Sequence, residues 1–501
     1  MSLSCSGITP QARNTDLEYA NQPKTQWHDM PPLTIEYAPR EDTIMLIGGV
    51  APIQDRLLRP ALKAVGGNYI GLPNPSFESF RIGKAFGNRG QCNPTYFTVG
   101  NLVKYLQKLR DEDGIPTEDI IKKYLFVTAG GCGPCRFGMY ITEYRKALRD
   151  AGFDGFRVMS FEHNKGIFQA TDGQESVTRF SPKFFIVLIK AFMIGDIINI
   201  LGYRVRPYEV NKGETNETMS RCEAILADAF EHRKSLINAM YKCRQEFKKI
   251  KLNRLQPKPK VMITGEFWAA LTEGDGNYNL HKFLEAEGAE CIPQPLMNRL
   301  MLSIWEAEYA RETHEGLAKE DTKRIDFSSL KSKLMIRSAK LAIVTHFYLY
   351  AKAIGLNGYK LPNMEKLAKL GEQYYPVDSN GGEGHLEVAH LIESVKDNLS
   401  HLVISVKPFG CMPSSAVSDG IQSLVVSHYP SANFLPIETS GEGAANFYSR
   451  VQMALFKAKQ LAQEEYESMH TPKNIPEKVH NYMFCPASTK AGTAAGLLEA
   501  I

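Results

Sequence analysis

Eight short apolar runs, most of them bounded by glycine and followed by a helix-like stretch, limit what this chain can fold into. They are Thr43-Ile-Met-Leu-Ile-Gly-Gly49, Asn68-Tyr-Ile-Gly-Leu72, Lys123-Tyr-Leu-Phe-Val-Thr128, Phe156-Arg-Val-Met-Ser-Phe161, Val261-Met-Ile-Thr-Gly265, Glu290-Cys-Ile292, His401-Leu-Val-Ile-Ser-Val406 and Asn433-Phe-Leu-Pro-Ile437. Short apolar runs alternating with helices are the pattern of parallel α/β units. Helices are expected near 54–65, 99–110, 137–151, 183–203, 217–251, 279–287, 421–428 and 447–466, with a mostly helical insertion over 299–371. The α/β pattern restarts after Gln256-Pro-Lys-Pro-Lys260, so two α/β halves are expected.

At about 150 residues per domain, 501 residues are too many for one core. The expected division is an extended arm over 1–42, a first α/β domain over 43–205, a helical connection over 206–257, a second α/β domain over 258–470 and a loosely ordered tail over 471–501. Lys plus Arg number 59 and Asp plus Glu 55, a formal charge of +4, which gives no footprint for nucleic acid or an anionic membrane. The most apolar stretch, 184–203, contains Lys190 and Asp196, so it reads as a buried helix rather than a membrane span. Met1 to Pro10 show no basic segment followed by an apolar run, and a reducing cytoplasm is the expected compartment.

In that compartment, clustered cysteines read as metal or redox ligands rather than disulfides. Of nine cysteines, four sit in Gly- and Pro-rich loops: Gly87-Asn-Arg-Gly-Gln-Cys-Asn-Pro94, Gly130-Gly-Cys-Gly-Pro-Cys-Arg-Phe-Gly138 and Lys407-Pro-Phe-Gly-Cys-Met-Pro413. In parallel α/β sheets such loops, at the carboxyl ends of strands, are where ligands bind. Glycine lets backbone amides approach a bulky ion, and an adjacent helix start favours thiolate. The residues favour iron–sulfur ligation by Cys92, Cys132, Cys135 and Cys411, and leave open a structural zinc or no metal. Cys222, Cys243 and Cys291 lack this setting and read as core residues.

Two further loops share a Gly-Glu-Gly core, Asn380-Gly-Gly-Glu-Gly-His385 and Thr439-Ser-Gly-Glu-Gly-Ala444. Glu383, His385 and Glu442 are candidates to hold substrate or move protons, against the plainer reading that the acids cap helices. Glu266, in Thr264-Gly-Glu-Phe267, belongs to the same class, and Arg89 and Arg136 flank the cysteines. No Gly-x-x-x-x-Gly-Lys-Ser/Thr loop, Gly-x-Ser-x-Gly elbow or Gly-x-Gly-x-x-Gly after the first strand is present, so the chain carries no signal for nucleotide hydrolysis, serine hydrolysis or dinucleotide binding.

Taken in order, Gly90-Gln-Cys-Asn-Pro94, Gly133-Pro-Cys-Arg-Phe-Gly138, Val205-Arg-Pro-Tyr-Glu209, Gly382-Glu-Gly384 and Pro408-Phe-Gly-Cys-Met-Pro413 resemble the activase-related proteins of the 2-hydroxyacyl-CoA dehydratase, benzoyl-CoA reductase and double-cubane cluster superfamily. The resemblance runs from about residue 43 to about 466. It implies two Rossmann-like domains with an iron–sulfur cluster in the cleft between them, held by Cys92, Cys132, Cys135 and Cys411. It also implies a separate ATP-dependent activator of the actin-like ATPase class as electron donor. Four ligands would close a single 4Fe–4S cubane and suit electron relay, and three would leave an iron open to substrate. A double cubane would want about six thiolates, with Cys291 and Cys485 as poor extras. The expected function is low-potential electron transfer to a difficult substrate such as an acyl-CoA. The rival is a non-catalytic accessory or scaffold subunit stabilised by a cluster or zinc, in a homo- or hetero-oligomer.

Overall fold

The computed structural model describes residues 38, 42–49, 51–130, 135–161, 182–254, 256–318, 327–356, 358–378, 382–414 and 418–468. The expected arm, apart from Ala38 and Asp42, the expected tail over 471–501, and Cys132 lie outside them.

All eight expected strands form, and they build two four-stranded sheets. The first contains β1 (Ile44–Gly48), β2 (Asn68–Leu72), β3 (Tyr124–Ala129) and β4 (Arg157–Phe161) in the order β2-β1-β3-β4. The second contains β5 (Lys260–Gly265), β6 (Glu290–Ile292), β7 (Leu402–Pro408) and β8 (Phe434–Thr439) in the order β6-β5-β7-β8. Every pairing is parallel, with Leu46 opposite Ile70 and Ile263 opposite Ile404. The two halves therefore share one winding. In each, the chain reverses direction across the sheet between its first and third strands, and the crevice outside that switch point is where such sheets take ligands.

Side chains alternate across each sheet, as the two-residue period of a strand requires. Met45 and Leu125 face one core with Ile53, Leu57 and Ile197, while Leu46 and Phe126 face another with Val103, Leu106 and Leu148. In the second sheet Val261, Ile263 and Ile404 pack with Trp268 and Phe447, while Met262 and Val403 pack with Leu391 and Val425.

The helices depart from expectation in three places. The helix α3 (Asn93–Asp111), which follows α1 (Pro52–Lys63) and α2 (Phe77–Phe86), begins at Asn93 rather than near Val99. Pro94 does not delay it. It sits in the first turn, where its missing N–H costs nothing. Cys92 thus holds the position just before α3 without a side-chain cap, in a loop between two helices rather than after a strand. Second, the expected helix over 217–251 is two helices, Glu214–Glu231 and Leu236–Phe247. Arg233 breaks it with φ +52°, and the Ser235 side chain accepts the amide of Asn238 to start the second. Third, Gly384–Lys396 is a helix. The expected insertion comprises Leu296–Ala318, Phe327–Ile354 and Met364–Gly371. Phe347, Tyr350 and Ile354 from its long helix join the first domain's core beside Met240 and Cys243, so the second half reaches over the first.

Pro182–Val205 is, among the described residues, the one helix long and apolar enough to cross a membrane, and more than half of its apolar stretch is buried inside the protein. Within it Asp196 accepts from Gln54 at 2.6 Å and from the amides of Leu296 and Met297 at 3.1 and 2.7 Å. A side chain of the first half so caps the helix Leu296–Ala318 of the second half.

Candidate functional site

The carboxyl ends of the two sheets face each other. The amide of Asn93 donates to the carbonyl of Phe409 at 3.1 Å, and the Asn93 side chain donates to the carbonyl of Thr439 at 2.7 Å. Two close approaches make this fit possible. A Cβ on Gly100 would stand 1.8 Å from the carbonyl oxygen of Ser79, so only glycine lets α2 and α3 cross tightly enough to present Cys92. Gly410 has φ +79°, and a Cβ there would meet the Cα of Cys92 at 3.2 Å. The loops bearing Cys92 and Cys411, distant in sequence, are thereby pressed together.

Each described loop cysteine directly precedes a helical turn. Cys92 precedes α3, Cys135 precedes the short turn Arg136–Met139, and Cys411 precedes the turn over 412–414. Arg136 ties two of these loops by donating to the carbonyl of Gly90 at 2.6 Å. Cys92 Sγ lies 3.1 Å from Tyr140 Oη and 3.3 Å from Thr95 Oγ1. Cys411 Sγ donates to Ser414 Oγ at 3.3 Å, and Ser414 donates to Glu387 at 2.7 Å. Desolvation pushes the Cys92 and Cys411 thiols up and the Cys135 thiol up to about 11, with Glu266 adding negative charge to all three. Thiolates there need a compensating cation.

Glu266 follows β5, and its carboxylate accepts the amides of Trp268 and Ala269 at 3.1 and 2.9 Å. The residue keeps a little exposure, yet withdrawal of the carboxyl from water still dominates and raises it to about 7. Glu383 stands at the start of Gly384–Lys396 without capping it, 3.9 Å from Arg299 Nε. Desolvation raises it to about 8, with Arg299 opposing and Glu266, Glu387 and Glu306 reinforcing. Glu387 accepts from Ser418 at 2.5 Å and lies 4.0 Å from the buried Lys407 Nζ. Desolvation raises it as well. His385 is 3% exposed between the rings of Trp305 and Tyr375, and neither ring nitrogen has a hydrogen-bond partner among the described residues. Burial lowers it to about 4, so it is neutral near pH 7.

The sequence candidates thus divide. Cys92, Cys135, Cys411, Glu266 and Glu383 gather at the facing sheet ends. Glu442 is 79% exposed in its side chain and pairs with Lys84 at 3.3 Å on the surface. Arg299, Glu387 and His390 were not singled out by the sequence reading. For the last two a signal exists: positions 383, 387 and 390 share one face of a helix at i, i+4 and i+7. Among the described residues no three His, Cys, Asp or Glu side chains are grouped closely enough for a single metal ion. No family model and no curated protein matches the chain.

Proposed function

We propose that this chain is an iron–sulfur protein working at low potential, taking electrons from an ATP-dependent activator of the actin-like ATPase class and passing them to a substrate that is hard to reduce, an acyl-CoA being the class the resemblance implies. The observation that carries the reading is the meeting of Cys92, Cys135 and Cys411, from both halves, at the facing carboxyl ends of two parallel sheets, each before a helical turn. The donor set fits such a group. A single ion needs all its donors within about 2.3 Å of one point, whereas a cubane gives each thiolate its own iron and spreads the sulfurs apart. Cys132 belongs to the same Gly-rich motif as Cys135 and is the fourth candidate ligand of a 4Fe–4S cluster.

When bound, the cluster supplies one-electron transfer. The chain's own residues set its surroundings. Tyr140 and Thr95 place hydroxyls beside Cys92 Sγ, and Ser414 does so for Cys411. Hydrogen bonds to cluster sulfurs are among the factors that set a potential. Met139, Phe409 and Met412 expose apolar surface on the cysteine-bearing loops, a feature of protein-docking surfaces.

The test is anaerobic purification with iron, sulfide and zinc analysis, followed by EPR of the dithionite-reduced protein. About four iron and four sulfide per chain without zinc are expected, lost in Cys135→Ser and in Cys411→Ser. About eight iron would indicate a double cubane. Zinc, or no metal under strict anaerobic handling, would overturn the reading and leave the accessory-scaffold role.

A further inference from the structure

Beneath the acids lies a small cavity of ≈ 20 Å³, lined among others by Asn298, Arg299, Glu383, Glu387 and His390. That volume is enough for about one water, which needs two to four polar partners to be held. Asn298 and His390 are 7% and 5% exposed, and among the described residues Asn298 Oδ1 and His390 Nε2 have no hydrogen-bond partner. Such groups are costly to bury dry. The other ring nitrogen of His390 points the opposite way, with Nδ1 3.8 Å from Glu393 Oε2. Glu393 in turn is 3.0 Å from the half-exposed Lys366. Lys366 lines a surface groove of ≈ 470 Å³ with Asn363, Lys369 and Gln373. An imidazole linking a partly buried carboxylate to this cavity has the geometry of a shuttle, since it can accept a proton at one nitrogen while releasing one from the other.

We propose that Glu393, His390 and one water in this cavity form a proton-entry path from the Lys366 groove to Glu383 and Glu387. A proton from bulk water reaches Glu393 and passes to His390 Nδ1. The N–H proton of His390 Nε2 passes to the cavity water, and that water releases one to a carboxylate of the inner pair. The net change is one proton moved from solvent to a buried carboxyl, with His390 left as its Nδ1–H tautomer until the ring proton returns by the reverse steps. From Glu387 the hydrogen bonds continue through Ser414 to Cys411. The charged groups around the path are Arg299 from Leu296–Ala318, Lys366 from Met364–Gly371, Lys407 from β7, and Glu266 beyond the inner pair. Arg299 and Lys407 oppose the rise that burial imposes on Glu383 and Glu387. Use of these protons at the cysteines rests on the iron–sulfur reading; the path itself does not.

The test therefore needs no cluster. The full-length protein is mixed with D₂O at neutral pH, and infrared spectroscopy follows the carbonyl band of the buried carboxylic acid, identified as the band missing in Glu383→Gln. His390→Gln keeps hydrogen bonding but cannot shuttle. It should slow H/D exchange of that band by about two orders of magnitude, the contribution typical of a positioned acid–base group. Glu393→Gln, one step nearer the solvent, should slow it less, and it carries the test if His390→Gln does not fold. Exchange at the wild-type rate in the folded variants would overturn the path. So would the absence of any acid band that Glu383→Gln or Glu387→Gln removes, since neither carboxyl of the inner pair would then hold a proton.

Discussion

At the amino end of the second sheet, Lys260 opens β5 and Glu290 opens β6, both almost wholly buried, with Nζ and Oε1 3.9 Å apart. Tyr208 donates to the other oxygen of Glu290 at 2.8 Å. His401, just before β7, accepts the amide of Lys260 at 2.9 Å and meets Glu465 at 2.6 Å through its other nitrogen. At the carboxyl end of the same sheet, Glu266 and Glu383 are raised to about 7 and 8 by burial, and His385 and His390 leave ring nitrogens without partners among the described residues. The same strands carry both ends, so overall fold stability does not dictate the difference. Buried polar groups that serve architecture are matched to one another, while groups left with spare capacity and shifted titration mark places where something else is to be bound or moved.

The contrast breaks first at Glu290. Glu290→Ala strips the carboxylate from a buried lysine and a buried tyrosine hydroxyl. It should cost about 3–5 kcal/mol, the usual penalty for removing one member of a buried pair. Denaturant unfolding reads this directly, and a loss under about 1 kcal/mol would show that the amino end is no better matched than the carboxyl end.

Asp196 stands between the two cases, since it has three hydrogen-bond donors yet no cation beside it among the described residues. Burial raises its carboxyl from 3.8 to about 7. The native state then holds a proton that the unfolded chain has released, so its contribution is complete below pH 4 and is lost as pH rises toward 7. The loss over that interval is about 3 kcal/mol. Asp196→Asn should flatten this part of the stability–pH curve, while a slope equal to wild type would mean the carboxylate is stabilised by something other than its three donors.

The strands were legible because a buried parallel strand writes itself as a short apolar run, and all eight fell within a residue or two of their runs. The loop cysteines were legible for the same reason, since glycine and proline mark the loops. Three things were hidden. The helix expected from about residue 99 starts at Asn93, with Pro94 in its first turn. Gly384–Lys396 opens on glycines and acids that imitate a loop, which concealed the face shared by Glu383, Glu387 and His390. The meeting of the halves depends on contacts such as Asn93 with Phe409, and no local pattern encodes a partner three hundred residues away. Glu442 shows the converse limit: it shares the Gly-Glu-Gly sequence of Glu383 and follows β8, yet it turns outward to Lys84.

The smallest expected effect is the most pointed. His385 occupies a buried slot between two aromatic rings and offers two unpartnered nitrogens, so an architectural role would be better served by phenylalanine. His385→Phe should leave stability near neutral pH unchanged or raise it by about 1 kcal/mol, through removal of an unsatisfied buried polar group. Its pH dependence runs opposite to that of Asp196. The native imidazole, lowered to about 4, binds fewer protons than the unfolded one between pH 4 and 6.5, so wild-type stability falls with acid across that window. The phenylalanine variant's advantage over wild type should therefore grow steadily as pH falls from about 6.5 to about 4. A variant that is instead destabilised at neutral pH by more than about 1 kcal/mol would place His385 among the matched groups and move the boundary between the two ends of the sheet inward.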